Sequence, residues 1–90
     1  MIDIGGDIGA MVAMVDAETV GTELHLRSEH DPPISIHTGV WERQQGTETV
    51  YAAVFAELRE GAYWVLDDRG DDVRRVEVTG GEVAQIDLRT

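Results

Sequence analysis

Short runs of β-branched and aromatic residues recur along this chain, each soon broken by Gly, Pro or Asp. That punctuation constrains the fold more than anything else in the sequence, because it leaves room for strands and tight turns and little else. The clearest run is Glu23–Arg27, where Leu24 and Leu26 alternate with Glu23, His25 and Arg27. Alternation of this kind places one set of side chains in a core and the other in water. Six further runs read as strands: Ile8–Val15, Ile34–Arg43, Thr49–Glu57, Tyr63–Leu66, Val73–Val78 and Glu82–Leu88. Turns are expected at Gly21, at Gln45-Gly46, and over Asp67-Asp68-Arg69-Gly70-Asp71. Gly80-Gly81 is expected to close a hairpin between the last two strands. Pro32 and Pro33 end any ladder between the second and third strands, since proline carries no N–H.

Residues 50–60 allow a second reading. Tyr51, Val54, Phe55 and Leu58 stand at i, i+3, i+4 and i+7, among alanines and glutamates that favour helix. Gly61 would end such a helix, and the fold would then be α+β with a helix at 50–60.

The chain has 90 residues and no cysteine, so it is expected to form one domain over 1–90 with neither disulfides nor thiolate chemistry. Eighteen acids against seven bases, all arginine, give a net charge of −11. That field repels phosphate backbones and anionic lipid, so no nucleic acid and no membrane is expected as a partner. A cation or a basic protein suits it better. The opening Met1–Asp7 carries acids and no base, unlike a secretory leader. No apolar run is long enough for a membrane helix. A cytoplasmic location is the expectation.

The stretch Phe55-x-x-Leu58-x-x-Gly61-x-Tyr63-x-Val65 resembles the signature of transthyretin-like modules, the carboxypeptidase regulatory-like and Cna-B-like domains. The resemblance implies an all-β, seven-stranded antiparallel transthyretin-like (prealbumin-like) β-sandwich. In such modules the Phe ends a core strand, the Leu plugs the end of the sandwich, the Gly turns the chain and the Tyr opens the next strand. The family mostly supplies structural or binding parts. Two of its specialised branches do not fit. The Lys–Asn isopeptide crosslink needs residues this chain lacks, and the Tyr-Arg-Gly-Ser tail of the hydroxyisourate hydrolases is replaced by Asp87-Leu88-Arg89-Thr90. The whole chain is also similar to very short bacterial proteins, some of which carry a phospholipase label that no residue here supports.

Two sets of side chains are candidates for a site. With Leu24, Leu26, Ile34 and Ile36 facing inward, His25 and His37 face outward. Pairing across the Pro32-Pro33 loop sets them opposite one another, Cβ atoms about 5 Å apart. Two imidazoles so placed suit one divalent transition metal, with His30 in the loop as a third ligand. The second set is apolar. If Phe55, Tyr63 and Val65 face inward, then Val54, Trp64 and Leu66 face outward, and Trp41 joins them by parity. Exposed tryptophans on a small sandwich mark an interface.

Other motifs read as ordinary structure. Asp67–Asp72 is acidic, but its spacing is not that of a calcium loop. Gly5-Gly6-Asp7-Ile8-Gly9 precedes a strand rather than a phosphate-binding helix. Ser28 and Ser35 lie in no nucleophile elbow. The expectation is a non-catalytic protein-interaction module that binds a protein partner or itself as a homo-oligomer. A metal-binding protein using the surface histidines is the alternative, and a small hydrolase comes third.

Overall fold

The computed structural model describes residues 5–89. The expectations that rest on Met1–Ile4 and on Thr90 lie outside the described residues. Seven strands form: β1 (Ile8–Val15), β2 (Glu23–Ser28), β3 (Ser35–Gln45), β4 (Glu48–Arg59), β5 (Gly61–Leu66), β6 (Asp72–Val78) and β7 (Val83–Asp87). A short 3-10 turn, Ala17–Thr19, separates β1 from β2. The fold is all-β, and the alternation along β2 and β5, and over Val76–Val78 of β6, is what the side chains predict.

All seven strands belong to one sheet, in the order β6-β5-β2-β3-β4-β1-β7. The long strand β3 serves both halves of it. Residues 35–39 pair with β2, and residues 40–45 pair with β4. The sheet therefore folds over along β3, and its edge strands β6 and β7 come into contact. Arg74 reaches across that seam, its guanidinium 3.5 Å from the Asp87 carbonyl. The result is a mixed sheet nearly closed as a barrel, flattened to 18 Å in its thinnest direction.

The core lies between the two halves, and every strand contributes. Met11, Ala13 and Val15 come from β1, Leu26 from β2, Val40 from β3, and Ala53, Phe55 and Leu58 from β4. Tyr63 and Val65 of β5, Val76 and Val78 of β6, and Ile86 of β7 complete it.

Residues 50–60 are strand, not helix. β4 is flanked on both sides, by β3 and by β1, so its backbone groups are satisfied across strands. Between Phe55 and Leu58 a bulge sets two residues of β4 against one of β1, since Phe55 pairs with Met11 and Leu58 with Gly9. The bulge shifts parity, so Phe55 and Leu58 both face the core although three positions apart. Val54, by contrast, points to the opposite face. The helix-like spacing came from residues on both faces of a bulged strand.

The sheet is not antiparallel throughout, and Gly80-Gly81 does not close a hairpin. β7 pairs with β1, and the two run parallel. After β6 the chain presses against the backbone at the start of β1: a Cβ at Gly80 would lie 1.9 Å from the Gly6 carbonyl. Gly81 N–H donates to the Ile8 carbonyl at 2.9 Å, and Ala10 N–H to the Glu82 carbonyl at 3.0 Å. These bonds draw the chain over to β1, where the parallel ladder begins. Ile34, expected inside, lies just before β3 and is exposed.

The signature residues around Gly61 act together. Leu58 and Tyr63 are buried, and the Tyr63 hydroxyl donates to the Arg59 carbonyl four residues back. This is the arrangement known in β-sandwiches as a tyrosine corner. Gly61 has a φ of +140°, and a Cβ there would lie 2.6 Å from Nε2 of His30. Glycine therefore both allows the turn and leaves room for an imidazole.

Candidate functional site

Two outward surfaces, one on each half of the sheet, hold the residues that the sequence picked out. They differ sharply in chemistry.

On the β3-β4-β1-β7 half the centre of the outer face is apolar, with Glu48 and Asp87 towards its ends. Trp41 pairs with Ala52, Ala52 with Met14, and Val54 with Val12. Trp41 is 62 % exposed, the most open of the large apolar side chains among the described residues. Its indole leans back over Gly39, where a Cβ would come within 2.9 Å of the ring nitrogen. A shallow groove of about 280 Å³ runs beside it, lined by Val12, Met14, Val50 and Ala52, with Arg43 and three glutamines at the rim. No carboxylate lines this groove, although the chain carries 18. Sequence reasoning found Trp41 and Val54 but missed Val12, Met14 and Val50. The signal was in β1, whose run Ile8–Val15 is apolar on both faces instead of alternating.

On the β6-β5-β2-β3 half the outer face is charged. Trp64 and Leu66 do point outward, as expected, but they do not join Trp41. Trp64 is half-buried, and its indole N–H donates to Glu29 at 2.6 Å. Glu29 also takes the Arg75 guanidinium at 2.9 Å, and Arg75 reaches Glu77 at 3.1 Å. Arg27 pairs with Asp72 at 2.9 Å. The hydrogen bond from Arg75 holds the Glu29 carboxyl below the usual carboxylate range, and the guanidinium of Arg75 is raised in turn. Trp64 is thus one member of a polar lattice.

The histidines also lie on this charged face. His25 and His37 are paired across β2 and β3, as the loop symmetry predicted. Both are exposed, and their ring centroids are 5.5 Å apart at an interplanar angle of 36°. His37 Nδ1 lies 2.9 Å from a Glu23 carboxylate oxygen. His30 is elsewhere. Its Nε2 lies 2.8 Å from the Glu60 carbonyl, and its ring meets the edge of Tyr63 at 5.6 Å. Because a carbonyl only accepts, Nε2 carries the proton. Nδ1 is buried without a hydrogen-bond partner. The expected third metal ligand is therefore a packing residue of the β4–β5 corner. Among the described residues no three His, Asp or Glu side chains converge where an ion could be held.

The remaining candidates serve the backbone. The Ser28 hydroxyl is buried and accepts the N–H groups of Ile34 at 2.7 Å and His30 at 3.3 Å. Asp67 accepts N–H bonds from Arg69 and Asp71, both at 2.9 Å, and the bond from Asp71 does most to lower its pKa.

No family model matches this chain, and no curated protein matches it. Among solved structures, the chain is similar to part of a leucine-rich repeat protein from Bacteroides thetaiotaomicron, with a TM-score of 0.55 at 10 % sequence identity. The match covers 94 % of this chain and 12 % of that one. At that identity the likeness concerns the fold alone. No helix among the described residues is long and apolar enough to cross a membrane.

Proposed function

We propose that this protein is a non-catalytic interaction module that associates with itself through the outer face of β3, β4 and β1. The observation that carries this reading is the apolar, carboxylate-free groove beside an exposed Trp41. Apolar surface of this kind gains free energy when a partner covers it. The occupant is a second copy because of where the charge lies. Two chains of net charge −11 repel one another, and the groove at the centre of this face lets them meet on apolar surface with Glu48 and Asp87 kept to its margins. The tyrosine corner and the flattened section favour the transthyretin-like architecture as the scaffold, with a parallel edge strand added. A cytoplasmic location fits an acidic chain without cysteine.

Sedimentation velocity over a concentration series tests the proposal. The wild type is expected to dimerise, and Trp41→Glu to remain monomeric with an unchanged circular dichroism spectrum. Added salt should tighten the wild-type dimer by screening the repulsion. Val73→Glu, on exposed β6, should leave association intact. A monomer at every concentration and salt level, or a dimer indifferent to Trp41→Glu, overturns the reading. Binding that instead needs a basic protein and weakens with salt would replace the second copy with that partner.

A further inference from the structure

We infer that His25 and His37 form a two-point clamp for a divalent transition-metal ion, separate from the apolar face and built by the register of β2 against β3. The register can be followed bond by bond. Ser28 N–H donates to the Ile34 carbonyl at 2.8 Å, and Val40 N–H donates to the Thr22 carbonyl at 3.0 Å. Hydrogen-bonded pairs alternate along an antiparallel ladder. Leu26↔Ile36 and Leu24↔Thr38 are then hydrogen-bonded pairs, and His25↔His37 is a pair of the other kind. Such pairs have their Cα atoms only about 4.5 Å apart and their side chains closest. The two rings are thus held side by side by backbone geometry.

The spacing suits one ion. With each imidazole nitrogen about 2.1 Å from a tetrahedral ion, the two ring centroids would stand about 5 Å apart. The observed separation is 5.5 Å, so small side-chain rotations bring both rings onto a shared metal. Glu23 supplies an outer-shell contact. Its carboxylate accepts from Nδ1 of His37 at 2.9 Å, which leaves Nε2 as the metal-binding nitrogen. A carboxylate behind a ligating imidazole fixes the tautomer and raises its basicity. On its other side His25 borders a depression of about 410 Å³ that includes Glu23, Asp67, Asp68 and Arg69. Its carboxylates outnumber the single arginine, so the local field attracts a cation. Two protein donors leave the other coordination positions to water. A site of two imidazoles favours Cu²⁺, then Ni²⁺ and Zn²⁺, over Mg²⁺ and Ca²⁺.

The clamp exists only in the folded chain, since the two histidines are separated by the whole loop once the strands part. Binding must therefore stabilise the fold. At about 100 times its Kd the ion should raise the melting temperature by about 10 °C or more. The experiment is calorimetric titration of the full chain with Cu²⁺, Ni²⁺, Zn²⁺ and Ca²⁺, together with thermal unfolding in each. The expected result is one transition-metal ion per chain, with affinity falling in the order Cu²⁺, Ni²⁺, Zn²⁺ and no response to Ca²⁺. His25→Ala and His37→Ala should each weaken binding at least tenfold and abolish the stabilisation. Glu23→Gln should weaken it about 10-fold, and His30→Ala should leave metal affinity unchanged. On the wild type, substoichiometric Cu²⁺ should first broaden the amide resonances of residues 24–26 and 36–38. Absence of binding, binding that survives both histidine variants, or broadening centred on the Asp67–Asp72 turn overturns the inference.

Discussion

Tyr63→Phe isolates the bond that fastens the β4–β5 corner. The side chain is fully buried, and its ring packs among Phe55, Leu58 and Val65 in the core. Phenylalanine keeps that ring and removes only the hydroxyl that donates to the Arg59 carbonyl. A neutral hydrogen bond contributes about 0.5–1.5 kcal/mol net, and an acceptor left without a donor costs up to about 1–3 kcal/mol when it cannot reach water. Arg59 itself is exposed, so its carbonyl is partly rehydrated. The expected loss is about 1–2 kcal/mol, which lowers the melting temperature of a domain this size by about 4–16 °C. Urea unfolding at neutral pH measures it, with an unchanged m-value as the sign that packing persists. The same phenol adds a pH signature. Burial raises the Tyr63 pKa, so the unfolded chain releases this proton first as pH rises. The stabilisation is complete below about pH 10 and is lost as pH climbs through the folded value. That alkaline loss should be absent from Tyr63→Phe. Equal midpoints for the variant and the wild type at neutral pH would refute the idea that the corner is held by this bond.

Two further changes probe the same framework. Gly61→Ala must place a Cβ at a φ of +140° and within 2.6 Å of His30; a loss of more than about 1 kcal/mol is expected, with the His30 imidazole resonances shifting, and an unperturbed His30 would be the contrary result. At acid pH the tethered carboxylates should weaken the fold. Asp87 is held down to about 2 by the Arg89 guanidinium, and Asp67 and Glu29 are also lowered, so their contributions are present above the ordinary carboxylate pKa of about 4 and vanish as pH falls below it. Urea midpoints at about pH 6 and about pH 3 should therefore differ less in Asp67→Asn than in the wild type, and an identical difference would remove Asp67 from the account.

Much of the site was legible because strand parity and loop symmetry are local. The alternation about Leu24 and Leu26 turned His25 outward, and the loop centred near Asp31 set it against His37. The surroundings of each side chain were not legible. Parity placed Trp64 outside, yet Glu29 from the loop after β2 and Arg75 from β6 meet beside it and turn an apolar candidate into a hydrogen-bonding one. Likewise His30 looked like a free loop ligand until Glu60 and Tyr63 were packed around it.

The sequence by itself determined that the chain outside 50–60 is built of strands, where six of its turns and loops fall, and which face of most strands is buried. These follow from a side-chain period of two and from the backbone limits of Gly and Pro, which act over a few residues. Only the tertiary structure decided which strands are neighbours. The last strand carries the same alternation whether it folds back on β6 or crosses to lie parallel to β1. The choice rests on Gly80 fitting against the Gly6 backbone and on bonds from Gly81 and Ala10 that join segments far apart in the chain. The bulge in β4 is of the same kind. An extra residue can be recognised only against the partner strand that lacks it, and that partner is fixed when the whole sheet curls and buries one common core.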